Sequence, residues 1–307
     1  MKNNTEYVGK VMLDYGFYGG TDLYVDGSEE ELLDIVKQYD NNEYNRVIAE
    51  KKKWPILYHL SNLRGNIVDC IPFTKNDKVL EIGAGCGAIT GTIAKKAGKV
   101  DCIELSRIRS LINAERNKHM DNIVITVGNF QDIERKITEK YDYITLIGVL
   151  EYAGKYIASD NPYEDFILML KNHLNENGKI VLAIENKYGL KYWAGCREDH
   201  LGTFFSGIEG YVDIDDVRTF SKNELQKIFI DCGFNDVMFY YPYPDYKFPV
   251  TIYSDSYLPK IGGLSNNMNN FDSDRMMLFD EMKVYDNLIA DGMFDFFSNS
   301  FMVIAGP

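Results

Sequence analysis

The sequence predicts a doubly wound α/β fold built on a mostly parallel, seven-stranded sheet. Three observations carry that expectation. Five short runs rich in Val, Ile and Leu recur, at KVLEI (78–82), KVDCIE (99–104), NIVITV (122–127), YDYITLI (141–147) and KIVLAI (179–184). Segments with helical potential separate them, at 88–97, 106–119, 131–139 and 162–175. Strands alternating with helices make βαβ units and a parallel sheet. The runs are continuously apolar rather than alternating, which fits a sheet covered on both faces.

Taken in order, residues 1–70 precede the first run and read as an N-terminal helical cap, with residues 71–307 as the core. Asn177-Gly178 marks the stop before the fifth run. Ser221 and Glu224 have the spacing of a capping box, so a further helix is expected to start there and to stop at Gly233. Two last strands follow, NDVMFYY (235–241) and SFMVIA (300–305). Two long insertions, 186–220 and 242–298, interrupt the alternation, and connections of that length usually form lids or small subdomains beside a ligand site. Within the second, NNMNN (266–270) is expected to be a mobile surface tip.

Composition narrows the class. The chain has 307 residues, enough for a sizeable core, with a formal net charge of −13. Sequence-independent nucleic-acid binding depends on clustered Lys and Arg. Lys51–Lys53 form the only basic run of three, and a solvated helix face accounts for them. No nucleic-acid or anionic-membrane partner is therefore expected. The five cysteines are scattered without a C-x-x-C pair, which points to a reducing cytoplasm and to neither a disulfide framework nor a zinc site. The first residues carry no apolar signal segment, and ITLIGVL (144–150) is far too short to span a bilayer.

The strongest chemical signal is VLEIGAGCGAIT (79–90). A strand runs into Gly83, Gly85 and Gly87, and a helix is expected just beyond. Such a turn lets a ligand approach the backbone without hindrance from Cβ. Glu104 closes the second run, followed by Leu105, where a carboxylate can accept both hydroxyls of a ribose. Gly83, Gly85 and Ala88 also satisfy the fingerprint of dinucleotide enzymes, so the loop by itself leaves two ligand classes open. Glu81 precedes the loop; a dinucleotide has no particular use for it, whereas a methionine ammonium does. The third run ends in Asn129 and Phe130, placed to bond and cover an adenine. The fourth ends in GVLEY (148–152), at the switch point where ligands bind in open sheets.

These motifs as a set, Glu81 with Gly83, Gly85 and Gly87, then Glu104, Asn129-Phe130 and GVLEY, resemble class I S-adenosylmethionine-dependent methyltransferases over residues 71–240 and 299–306. The closing strand resembles that family too, which inserts it antiparallel. Asn129 departs from the Asp often found there. WPILYHLSNLRGNI (54–67), ENKYGLKYWAGCREDH (185–200) and YYPYPDYKFP (240–249) are similar to a narrower group, bacterial methyltransferases that accompany surface-polysaccharide glycosyltransferases. The resemblance implies a Rossmann-like methyltransferase fold and S-adenosylmethionine as cofactor. It further implies a small-molecule, sugar or glycan-precursor acceptor and a glycosyltransferase domain or partner. Glu81, Gly83, Gly85, Gly87, Glu104, Leu105, Asn129, Phe130, Gly148 and Tyr58 would hold the cofactor, and the two insertions would wall the acceptor side.

Methyl transfer from a sulfonium needs alignment and, for some acceptors, a base. His200, in the first insertion, is the first choice because an unperturbed imidazole titrates near neutrality. Glu185 and Tyr188 are its rivals, while Glu151 and Tyr152 are expected to line the donor crevice. His59, His119, His173 and His200 are dispersed, so no metal is expected. Tyr240, Tyr241, Tyr243 and Tyr246 make either a sugar-stacking wall or a packed turn. Two other classes stay open on the sequence: an NAD-type oxidoreductase, and a non-catalytic module that keeps the fold.

Overall fold

The computed structural model describes residues 4–212, 214, 216–264 and 275–307. The chain divides into two compact units, residues 1–146 with 172–179, and residues 147–171 with 180–307.

The first unit holds strands β1 (Thr5–Val8), β2 (Val11–Asp14), β3 (Lys78–Ile82), β4 (Lys99–Glu104), β5 (Ile123–Val127) and β6 (Tyr141–Ile147), in the order β1-β2-β5-β4-β3-β6. β2, β5, β4, β3 and β6 pair in parallel, and β1 closes a hairpin on β2. Register sets the chemistry: Glu104 sits opposite Val127, at the C-terminal ends of β4 and β5, and Glu81 opposite Cys102. β3 is buried from Val79 to Ile82, as a continuous apolar run in a covered sheet must be.

In the N-terminal region, read as a helical cap, two strands precede the helices. The segments around Tyr7 and Met12 are short and only partly buried, too weak a period to stand out in the sequence, yet they add two strands beside β5. The helices that follow, Glu29–Gln38, Tyr44–Lys51 and Trp54–Leu60, do pack as a cap. Leu32, Ile35, Val36, Tyr44, Val47, Ile56 and Leu60 form one buried cluster with Ile112 and with Cys86 of the glycine loop. Lys51 and Lys53 pair with Glu31 on the solvated side, but the run lies at the junction of the helices Tyr44–Lys51 and Trp54–Leu60 rather than on one helix face.

The second unit is antiparallel where the first is parallel. β7 spans Leu174–Glu185, so its first residues belong to the first unit, and β10 (Ser300–Gly306) lies between it and β8 (Asp236–Tyr243). β9 (Thr251–Ser254) then pairs with β8. The antiparallel closing strand is as predicted, while β9, four half-buried residues inside the second insertion, was not foreseen. The helix Lys222–Asp231 begins in a capping box: Glu224 N–H donates to Ser221 Oγ, and Ser221 N–H donates to Glu224 Oε2 at 2.8 Å. NNMNN (266–270) lies outside the described residues. No described helix is long and apolar enough to cross a membrane.

Candidate active site

The glycine loop is open at one glycine and closely packed at another. Gly83 N–H donates to Ile103 O at 2.8 Å, pulling the loop across the end of β4. Gly85 has φ of +52°, which a side chain rarely adopts, and a Cβ there would meet only Gly83 O, at 3.9 Å. Gly87 is glycine for a different reason: a Cβ would lie 2.4 Å from Asn113 Oδ1, so this position serves packing.

Glu104 is buried and organises the loop. Its Oε2 accepts from Gly85 N–H at 2.8 Å and its Oε1 from Ser106 N–H at 2.9 Å. Burial raises its pKa, while those amides and Arg109 favour the carboxylate. A carboxylate so held retains free lone pairs for ribose hydroxyls. Leu105 beside it is half-buried. Glu81 is buried against Cys102, with Oε1 lacking a hydrogen-bond partner; burial pushes its pKa up to about 7. A solvated cation nearby would supply what that oxygen lacks.

Asn129 does a second job not read from the sequence. Its side-chain oxygen accepts Gln131 N–H at 3.0 Å, capping the helix Phe130–Glu134. Phe130 is buried in the core at that helix's start. Tyr58 is half-buried in the helix Trp54–Leu60, stacked beneath the Arg64 guanidinium. Its neighbour His59 is buried against Asp26 at 3.2 Å, and His173 against Glu134 at 3.0 Å. Both are structural pairs of the first unit.

In the second unit, a dense set of charges surrounds Glu151, Glu185 and His200. Gly148 turns the chain after β6 with φ of +71°; a Cβ there would meet Tyr246 Oη at 2.7 Å and Glu151 Oε1 at 3.5 Å. Glu185, at the end of β7, is fully buried. Its Oε1 accepts from Lys247 Nζ, and its Oε2 lies 3.4 Å from His200 Nε2. His200 Nδ1 meets Tyr152 Oη at 3.0 Å. Around them, Lys191 Nζ bridges Asp199 and Asp245 at 2.9 Å each, and Lys247 Nζ reaches Asp199 at 2.8 Å. Glu198 Oε2 accepts from His200 N–H and Leu201 N–H at 2.8 and 2.7 Å, fixing the loop that carries the imidazole.

Burial opposes the His200 imidazolium, but the Glu185 carboxylate outweighs it and lifts the pKa to about 9. Burial likewise opposes Glu185 ionisation, and Lys247 with His200 reverses that, holding Glu185 well below the usual range. Glu151 goes the other way, up to about 8: burial dominates, His200 opposes it and Glu185 adds to it. His200 is thus an imidazolium at neutral pH, which revises the reason for choosing it as base.

A raised histidine pKa stabilises the fold fully below its unfolded value near 6.5, and the gain is lost as pH rises through about 9. The raised Glu151 pKa also favours the protonated state, costing stability above its ordinary value of 4.5 until about pH 8. Thermal unfolding should therefore show Tm falling between about pH 6.5 and 9, and His200→Gln should flatten that slope. An unchanged slope in the variant would remove His200 from the linkage.

Tyr188, a sequence candidate, stands apart: its ring stacks on Phe296 at 5.3 Å. Tyr152 is the tyrosine that reaches His200. Of the four tyrosines at 240–246, Tyr241, Tyr243 and Tyr246 are buried; Tyr240 to Tyr243 belong to β8, so this stretch packs as a strand end and not as an exposed wall. The charged partners Lys191, Glu198, Asp245 and Lys247 escaped the sequence reading. Only the dense mixing of charges with Tyr and Trp in 185–200 hinted at them. Sequence spacing gave no metal centre, yet Glu151, Glu185 and His200 bring donor atoms within 4.8 Å of one another. Lys247 and the imidazolium already face Glu185, so cationic partners are in place on that side.

Residues 80–180 match the family model of a methyltransferase domain, from β3 into β7. The ribosomal RNA small subunit methyltransferase A of Mycoplasma mycoides is 33% identical over 100 residues, 32% of this chain and 37% of that protein. Its counterpart from Leuconostoc mesenteroides is 27% identical over 143 residues, 46% of this chain and 47% of that protein. The chain thus spans less than half the length of these curated relatives. A solved structure of a SAM-dependent methyltransferase from Archaeoglobus fulgidus is 14% identical, covers 83% of this chain and all of that chain, and has a TM-score of 0.51, a likeness of fold. Residues 80–180, about a third of the chain, thus match a methyltransferase domain, and the solved structure shares the fold. The open space at Gly85 with the amide-held Glu104 fits the ribose of S-adenosylmethionine.

Proposed function

We propose that the protein transfers a methyl group from S-adenosylmethionine to a hydroxyl or amine of a small polar acceptor, a sugar or glycan-linked group, in surface-glycan modification. The observation that carries the acceptor class is the buried Glu151–Glu185–His200 set with Tyr152 on it. Precisely oriented polar groups in an enclosed site suit a small hydroxylated ligand, whose groups each find a partner. The segment similarities at 54–67, 185–200 and 240–249 support a glycan precursor met in the cytoplasm, with a glycosyltransferase as associated domain or partner.

A second reading comes from the relatives, whose names specify ribosomal RNA. The net charge of −13 disfavours it, because phosphate contacts supply most of the affinity for RNA. Within the donor site, Glu81, Gly83, Gly85 and Glu104 take the methionine and ribose ends, with Leu105, Asn129, Phe130, Tyr58 and Gly148 as further cofactor-side candidates.

Calorimetry is expected to show binding of S-adenosylhomocysteine and none of NAD. Glu104→Ala should weaken that binding by roughly 10- to 150-fold, the worth of a hydrogen bond to a charged group. Unchanged affinity would take Glu104 out of the site, and tight NAD binding would end the methyltransferase reading. A release assay for S-adenosylhomocysteine with sugar nucleotides and with ribosomal RNA then decides the acceptor. Methylation of the RNA alone would overturn the glycan proposal.

A further inference from the structure

The connection between β2 and the helix Glu29–Gln38 runs from Tyr15 to Ser28 without regular structure. Connections of that length are uncommon inside compact units and usually serve a site. Its path follows from the sheet. β2, β5 and β4 are parallel neighbours, so the chain leaves β2 at the carboxyl edge, where Glu104 and Asn129 also stand. In open α/β sheets that edge is where ligands bind.

Three contacts pin the connection there, all within the first unit. Phe17 lies on Gly128: a Cβ at that glycine would come within 2.7 Å of Phe17 Cβ and 2.8 Å of Phe17 O. Gly128 N–H in turn donates to Glu104 O at 2.9 Å, so this contact sits where the ends of β4 and β5 join. Further on, the Asp22 carboxylate accepts from Arg107 N–H and Ile108 N–H, the two amides after the one that Glu104 holds. At the far end, the Arg109 guanidinium pairs with Asp26 and Glu29 at 2.9 Å each, over the ring of Tyr24. Apolar burial does not explain the path. Leu23 and Val25 are 60% and 54% exposed, and a Cβ built at Gly19 or Gly20 meets nothing within 4 Å.

We propose that residues 15–28 form a strap over the adenosine end of the donor site, with Phe17 as an aromatic wall for the adenine. This rests on the methyl-transfer reading above. Phe17 sits on the residue before Asn129, and Asp22 caps the turn that follows Leu105, so the pins bracket two cofactor-side candidates. Phe17 is half-buried, which leaves part of its surface to a ligand. An aromatic ring against a base is favourable through the π-face alone and asks for no hydrogen bond.

The test is amide hydrogen exchange on the full chain, with and without S-adenosylhomocysteine. Amides of 15–28 should exchange at least about tenfold more slowly with the ligand. Millimolar adenosine should give the same protection, and homocysteine none. In calorimetry, Phe17→Ala should weaken S-adenosylhomocysteine binding by roughly 5- to 150-fold, the worth of one aromatic ring on a base. Phe17→Tyr, which keeps the ring, should stay within about threefold of wild type. Circular dichroism reports the fold of each variant, and Phe17→Leu, which keeps apolar volume without the ring, replaces an Ala variant that does not fold. Equal exchange in both states, protection by S-adenosylhomocysteine but not by adenosine, or wild-type affinity in the folded ring-less variant would each overturn the proposal and leave the methyl-transfer reading standing. Absence of S-adenosylhomocysteine binding to the wild type defeats both.

Discussion

Gly85→Val is expected to abolish S-adenosylhomocysteine binding, by more than ~100-fold in Kd, while the protein stays folded. The structure keeps the space beside Gly85 clear: only one backbone oxygen lies within 4 Å of a built Cβ, at 3.9 Å. A valine side chain would fill that space. It would also strain the loop, since φ of +52° costs a branched residue on the order of 1–3 kcal/mol. Gly85→Ala separates the two effects, for it carries the strain with little of the bulk. Calorimetry with circular dichroism reads binding and fold together. Binding within about threefold of wild type in the folded Val variant would mean that the ligand does not approach this backbone.

Glu185→Ala should be the most damaging change in the second unit. It removes the carboxylate that accepts from Lys247 and lies 3.4 Å from His200 Nε2, leaving a buried ammonium and imidazolium with fewer partners. Breaking a buried pair from one side typically costs about 3–5 kcal/mol, because the remaining charge is uncompensated. Denaturant unfolding should show that loss. The double variant Glu185→Ala with Lys247→Met should lose less than the sum of the two single changes, since neither charge is then stranded. Strict additivity would show that the two side chains do not depend on one another. Catalytic loss by itself would not distinguish a role in chemistry from a role in positioning His200, so unfolding is the readout.

Some of this was legible from residue order alone. The first four apolar runs became β3 to β6 with bounds close to those predicted, because a strand buried on both faces must be apolar throughout; β7 starts at Leu174, so Asn177-Gly178 lies inside it and not before it. The capping box at Ser221 and the antiparallel closing strand are equally local or patterned features. The weak hairpin β1–β2 and the short β9 were missed, since half-exposed strands of four residues carry little hydrophobic period.

By itself the sequence determined the glycine loop and its acidic partner. Gly83, Gly85, Gly87 and Glu104 act through backbone conformation and strand order, and both are written locally. Only the tertiary structure decided which charges meet. Glu151, Glu185 and His200 lie far apart in the chain, and Lys247 comes from a fourth segment, yet their side chains share one buried volume. Burial and mutual charge set their protonation, lifting His200 and Glu151 and depressing Glu185. A residue's pKa depends on neighbours that no spacing rule lists, which is why His200 was found from the sequence and its charge state was not.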